Sequence, residues 1–113
     1  MRRVESNLTA AGLLTAFLIK GCGYITAPFK HKGFYKLCKF FSKILLKDEN
    51  IIIKVENDCI FEIAFKDPYW NRLVSSSYKY EPEIFFLLDH LKKIKYSFVD
   101  GGANYGFWSV LVY

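Results

Sequence analysis

Cysteine is sparse in this 113-residue chain, and the three present are scattered. Cys22, Cys38 and Cys59 are odd in number and include no C-x-x-C pair, which argues against a disulfide framework. His31 and His90 do not complete a clustered zinc site with them. Reduced, buried thiols in a cytoplasmic protein are the expectation. A long hydrophobic run is also missing. Leu8 to Ile19 is apolar or small throughout but reaches only 12 residues before Lys20, and a bilayer span takes about 20. Arg2 and Arg3 have the look of a signal-peptide n-region, and Ile19-Lys20-Gly21-Cys22 has the outline of a lipoprotein box. Lys20, however, stands where a small residue is needed. The run is read as a short N-terminal helix. The chain contains neither an internal repeat nor a low-complexity segment.

What is present is core material. Apolar residues make up 52% of the chain and aromatics 19%, a composition that argues against disorder and suits one small domain. The net charge of +5 is lopsided. Met1–Lys54 holds ten Lys/Arg against three acids, and Val55–Tyr113 six against eight. A basic half points to a polyanion, a membrane surface or an acidic partner, or to a solvated helix face.

Lys32, Lys36, Lys39, Lys43 and Lys47 recur at helical spacing, with Phe34, Leu37, Cys38, Phe41, Ile44 and Leu45 opposite them. Residues 34–47 are therefore expected to form a basic amphipathic helix. It either covers the domain as an ordinary first helix or makes peripheral contact with an anionic membrane. Ile51–Glu56 and Cys59–Phe65 read as strands of a hairpin turning at Asn57-Asp58. Lys66–Tyr80 is an aromatic loop carrying Tyr69, Trp70, Tyr78 and Tyr80, whose rings either stack on a ligand or close the core. Pro82 suits the first turn of a helix with Ile84, Phe85, Leu87, Leu88 and Leu91 as its buried stripe. Its lysine-flanked His90 is expected to be exposed. A strand is expected at Tyr96–Asp100, then a glycine-rich turn, then a helix from Phe107. These readings divide the chain at 1–47, 48–96 and 97–113.

The turn is where chemistry is expected. A strand that ends in an acid and passes through glycines into a helix builds a ligand crevice in open α/β sheets. Ala103 replaces the middle glycine of a dinucleotide fingerprint, which weakens a nicotinamide or flavin reading. Phe107-Trp108 replaces the Lys-Ser/Thr of a Walker loop. Asp100 is a poor neighbour for phosphate and a good one for a cation.

Asp100-Gly101-Gly102-Ala103-Asn104-Tyr105-Gly106-Phe107-Trp108-Ser109 resembles motif I of the FkbM-type methyltransferases, close to D-x-G-A-N-x-G-x-x-S. Tyr80-Glu81-Pro82-Glu83 resembles the Y-E-P-E that opens the preceding helix in that family. Residues 1–50 have no counterpart in the match. The resemblance implies an α/β, Rossmann-like class I methyltransferase fold, preceded here by the amphipathic helix and the hairpin. It implies S-adenosylmethionine (SAM) as cofactor, cradled by Asp100, Gly102, Asn104 and Gly106, with Gly101 and Ala103 in the same loop and Tyr80 and Glu81 as neighbours. It further implies O-methylation of a sugar or natural-product hydroxyl, so the expected partner is a small-molecule or saccharide acceptor and not a nucleic acid. The acid for the ribose hydroxyls would lie about 20 residues further on by the analogous Rossmann spacing. The chain is thus expected to be the front part of such an enzyme and inactive by itself. The alternative is a basic membrane-surface or interaction module without catalysis.

Overall fold

In the computed structural model, which describes residues 3–4 by backbone alone and residues 8–44, 48–55 and 59–112 in full, Thr9 starts the first long helix. Its hydroxyl accepts from the Gly12 amide at 3.2 Å, an N-cap that satisfies one orphan donor of the first turn. The helix, α1 (Ala10–Thr26), continues well past Ile19, where the sequence reading stopped it. Lys20 is tolerated because a lysine at the margin of the packed face keeps its ammonium in water. Pro28 sits in a 3₁₀ turn, Ala27–Phe29, and Lys30, His31 and Gly33 then take positive φ, reversing the chain.

The inward face of α1 is made of small residues. Gly12, Thr15, Ala16, Ile19, Gly23 and Thr26 are buried at three- and four-residue spacing. Thr15 and Thr26 donate their hydroxyls to the carbonyls of Ala11 and Cys22, so burial leaves no donor unmet. A side-chain carbon at Gly23 would run into Ser75 Oγ and Cβ, so close approach to the 75–77 segment requires glycine there.

Helix α2 (Phe34–Ile44) packs against α1 and is shorter than the 34–47 expected; Leu45 and Lys47 lie outside the described residues. Its buried line is Phe34, Cys38 and Ser42. Leu37, Phe40 and Ile44 are exposed, so the apolar stripe read from the sequence is only half covered.

The sheet is antiparallel throughout, in the order β1 (Arg3–Val4), β2 (Asn50–Lys54), β3 (Ile60–Ala64). The hairpin expectation holds, with Ile51 opposite Ile63 and Ile53 opposite Phe61. Ile51, Ile53, Val55, Phe61, Ile63 and Phe65 all face the core, each large side chain contributing about 1.5–3 kcal/mol relative to exposure. The turn residues Asn57 and Asp58 lie outside the described residues.

The aromatic loop closes this core. Asp67 accepts the Tyr69 amide in a turn ahead of Pro68's successor. Trp70 is buried with its ring 5.4 Å from that of Phe61, and a 3₁₀ turn, Asn71–Val74, follows. Asn71 is completely buried and joins three elements: its amide donates to Ser42 Oγ at 2.8 Å and to the Phe65 carbonyl at 3.2 Å. Arg72 lies between the rings of Tyr69 and Tyr78, at 4.7 and 4.8 Å, with Tyr35 at 5.6 Å. His31 donates from Nε2 to the Ser77 carbonyl at 3.0 Å, tying the α1–α2 turn to this loop.

Burial pushes the Cys38 thiol up to about 12, opposed in part by the charge of Arg72. Stability linked to this neutral thiol is whole below its ordinary value of 9.0 and is lost as pH rises toward about 12. At neutral pH a maleimide is expected to label Cys59, which is half-buried, well before Cys38. Mass spectrometry of the native and urea-unfolded protein checks this: Cys38 should react only after unfolding.

The chain divides into two compact units, Met1–Tyr78 and Lys79–Tyr113. This boundary differs from those at 47 and 96, because Asn71, Trp70 and Phe65 tie the hairpin and loop to α2 within one core. The second unit holds α3 (Pro82–Leu91) and α4 (Phe107–Val112). No residue of α3 is fully buried, and Leu87 is exposed, which corrects the stripe expected for it. Residues 96–100 form no strand. A parallel strand is held by neighbours on both sides, and among the described residues none pairs with this segment, so Val99 is left 89% exposed. The chain is a mixed α/β protein.

Candidate functional site

The glycine-rich segment is a turn. Residues 101–106 are distinct from α4, which starts at Phe107 as expected. Gly102, Asn104 and Gly106 all have positive φ, at 91°, 49° and 74°. Asn104 is among the few non-glycine side chains that accept that region readily. The Gly106 amide donates to the Ala103 carbonyl at 2.6 Å, closing the bend. A side-chain carbon built on Gly101, Gly102 or Gly106 would meet nothing within 4 Å. Packing therefore does not account for the missing side chains. At Gly102 and Gly106 the dihedral does, and at Gly101 what remains is open backbone that a ligand can approach.

Two side-chain clasps hold the ends of the bend. Asp100 accepts the Ser109 hydroxyl at 2.7 Å, joining the residue before the turn to the first part of α4. Glu81 accepts the Trp108 indole N–H at 2.8 Å, a charge-assisted bond. Glu81 is itself left-handed, with φ 42°, immediately before Pro82. That conformation costs a non-glycine residue about 1 kcal/mol or more, and the indole bond holds the side chain there. Tyr80 stacks on Trp108 with centroids 5.8 Å apart and meets Phe107 edge-on at 5.1 Å. Phe85 meets the same two rings.

The eight residues singled out from the sequence thus fall into two groups. Asp100, Gly101, Gly102, Ala103, Asn104 and Gly106 form one exposed or half-exposed bend, and Tyr80 and Glu81 adjoin the helix that leaves it. Asp100 does not point into an apolar interior; it is half-buried and hydrogen-bonded. Trp108 is the residue that sequence reasoning gave no role, although it links Glu81 to the bend. Its partner is 27 positions away, and no local pattern marks such a pair. His90 is exposed and contacts the Phe86 ring and carbonyl of its own helix.

The bend presents one carboxylate, backbone open to approach at Gly101 and Gly102, and flanking aromatic rings. Such a set suits a ligand with a cationic group and a flat ring, and offers no lysine or arginine for a phosphate. In comparisons with known proteins, no family model, no curated protein and no solved structure matches the chain.

Proposed function

We propose that Lys79–Tyr113 is the opening part of the cofactor site of a SAM-dependent, Rossmann-like class I methyltransferase that acts on a sugar or natural-product hydroxyl. The single observation that carries this reading is the bend itself, open at Gly101, Gly102 and Gly106 and set beside a carboxylate. The cofactor fits these residues by charge and by space. Asp100 would attract the α-ammonium and sulfonium, both positive. The open backbone at Gly101 and Gly102 would line the path of the methionine and ribose portion. When bound, SAM supplies an electrophilic methyl group for in-line displacement, in which alignment of the acceptor oxygen provides much of the rate.

The residues of this chain hold and orient. Ser109 fixes the rotamer of Asp100, and Trp108, stacked on Tyr80, fixes the Glu81 carboxylate.

Nuclear magnetic resonance titration tests the reading. Adding SAM to the protein is expected to shift the amides of residues 100–106 with weak, millimolar-range affinity, because residues 96–100 are not held in a sheet. Asp100→Asn should weaken that response at least tenfold, and NAD should not reproduce it. No methyl transfer from labelled SAM to a hydroxyl acceptor is expected from this chain by itself. Amides that stay fixed under SAM, or that respond equally to NAD, would reject the assignment.

A further inference from the structure

Helix α1 is packed inside out. Its inward face is Gly, Thr, Ala and one Ile, whereas Leu13, Leu14, Phe17, Leu18 and Ile25 point away from the core of its own unit, Phe17 and Ile25 each 72% exposed. On the surface helix of a water-soluble domain the outward positions are charged and the large apolar ones inward. Here the outward arc carries no charge over the length of the helix, and Lys20 lies at its margin, half-buried. So large an unbroken apolar surface marks an interaction site.

The electrostatics say what kind. Between Leu8 and Lys47 there are seven lysines and not one Asp or Glu. Lys30, Lys32, Lys36, Lys39 and Lys43 are all exposed on the turn and helix that follow α1. We infer that the outward face of α1 docks on an anionic lipid bilayer, lying in the interfacial plane with its large side chains among the acyl chains and the lysines among the headgroups.

A second copy of the chain would bring the same lysines to the contact, and like charge opposes that pairing. Ala10–Phe29 is also long and apolar enough to cross a membrane. The helix is, however, bonded to its own unit through Tyr24 Oη and Ser76 Oγ at 2.7 Å, and it packs on Ser75 through Gly23. Crossing would strip those contacts and expose the small-residue face to lipid. The helix for which the sequence left both a core-covering role and membrane contact open, 34–47, has Phe34 and Cys38 committed to the core; its contribution to the membrane is its lysines.

Co-sedimentation with vesicles of phosphatidylcholine containing roughly one-third phosphatidylserine tests this, with pure phosphatidylcholine vesicles as the second arm. Binding is expected on the anionic vesicles, falling as salt is raised. Phe17→Asp and Ile25→Asp, at positions whose exposure spares the fold, should each weaken it more than tenfold. Lys36→Glu and Lys39→Glu should each cost roughly fivefold and flatten the salt dependence. Equal binding to both vesicle types, or none to either, would overturn the inference. So would membrane association that resists alkaline extraction, which means crossing. So too would a concentration-dependent dimer that Phe17→Asp dissociates, which would give the face to a second copy. Residues 100–106 have no part in this test, so its outcome is separate from that of the SAM titration.

Discussion

Phe34→Ala is expected to lower the unfolding free energy by about 3–5 kcal/mol, while Phe40→Ala on the same helix should change it by less than about 0.5 kcal/mol. Both are phenylalanines on a lysine-rich helix. Phe34 has no exposed surface, and its ring lies 5.6 Å from that of His31 and 5.9 Å from that of Tyr78. Truncating it removes the burial of the ring and leaves a cavity where α2 meets the aromatic loop. Phe40 is 60% exposed, so its removal takes little from the core. Urea unfolding of the two variants by circular dichroism checks the contrast. Similar midpoints for both would mean that α2 is rotated from the orientation described.

Asn71→Asp is expected to be nearly as severe, about 3 kcal/mol or more at neutral pH. The substitution keeps the shape and removes the amide protons that reach Ser42 and Phe65. Ser42 spends its own proton on the Cys38 carbonyl at 2.7 Å, so it cannot turn to donate to the new carboxylate without breaking that bond. Asn71 Oδ1 already has no hydrogen-bond partner among the described residues, so no donor stands ready for a negative charge. A carboxyl buried in that way titrates above its ordinary value near 4. Its neutral form is the one that fits, so the variant's deficit should be smallest below about pH 4 and grow as pH rises through the folded-state value. Urea midpoints of Asn71→Asp and wild type at acid and neutral pH measure this, with Asn71→Ala as a charge-free reference expected to cost about 1–3 kcal/mol at both. A deficit for Asn71→Asp that does not change with pH would remove the charge argument.

These two residues also show what the sequence could and could not convey. Phe34 and Cys38 lie four apart on an apolar stripe, and the alternation of Phe61, Ile63 and Phe65 is equally plain, so local period alone places them in the core. Pro82 marked a helix start, and the glycine bend before Phe107 was legible because positive φ narrows the choice of residue. The orientation of α1 was not legible. Apolar residues occur all round that helix, so a period gives it no preferred face, and its inward side is set by contacts with distant segments such as Ser75 against Gly23. Asn71 was illegible for a related reason: one amide in a loop has no pattern, and its partners are 29 and 6 positions away. The strand expected at Tyr96–Asp100 failed because strands are held by distant neighbours, which propensity does not supply. At the candidate site the bend and its acid were visible, whereas the Trp108–Glu81 bond was not.

The Ser109–Asp100 bond has a thermodynamic corollary. The Ser109 hydroxyl occupies one oxygen of the Asp100 carboxylate, and the second oxygen stays available to a cation. Ligand capture and the brace on the first turn of α4 therefore coexist, and occupancy of the bend should register as slower amide hydrogen exchange in Trp108–Val110.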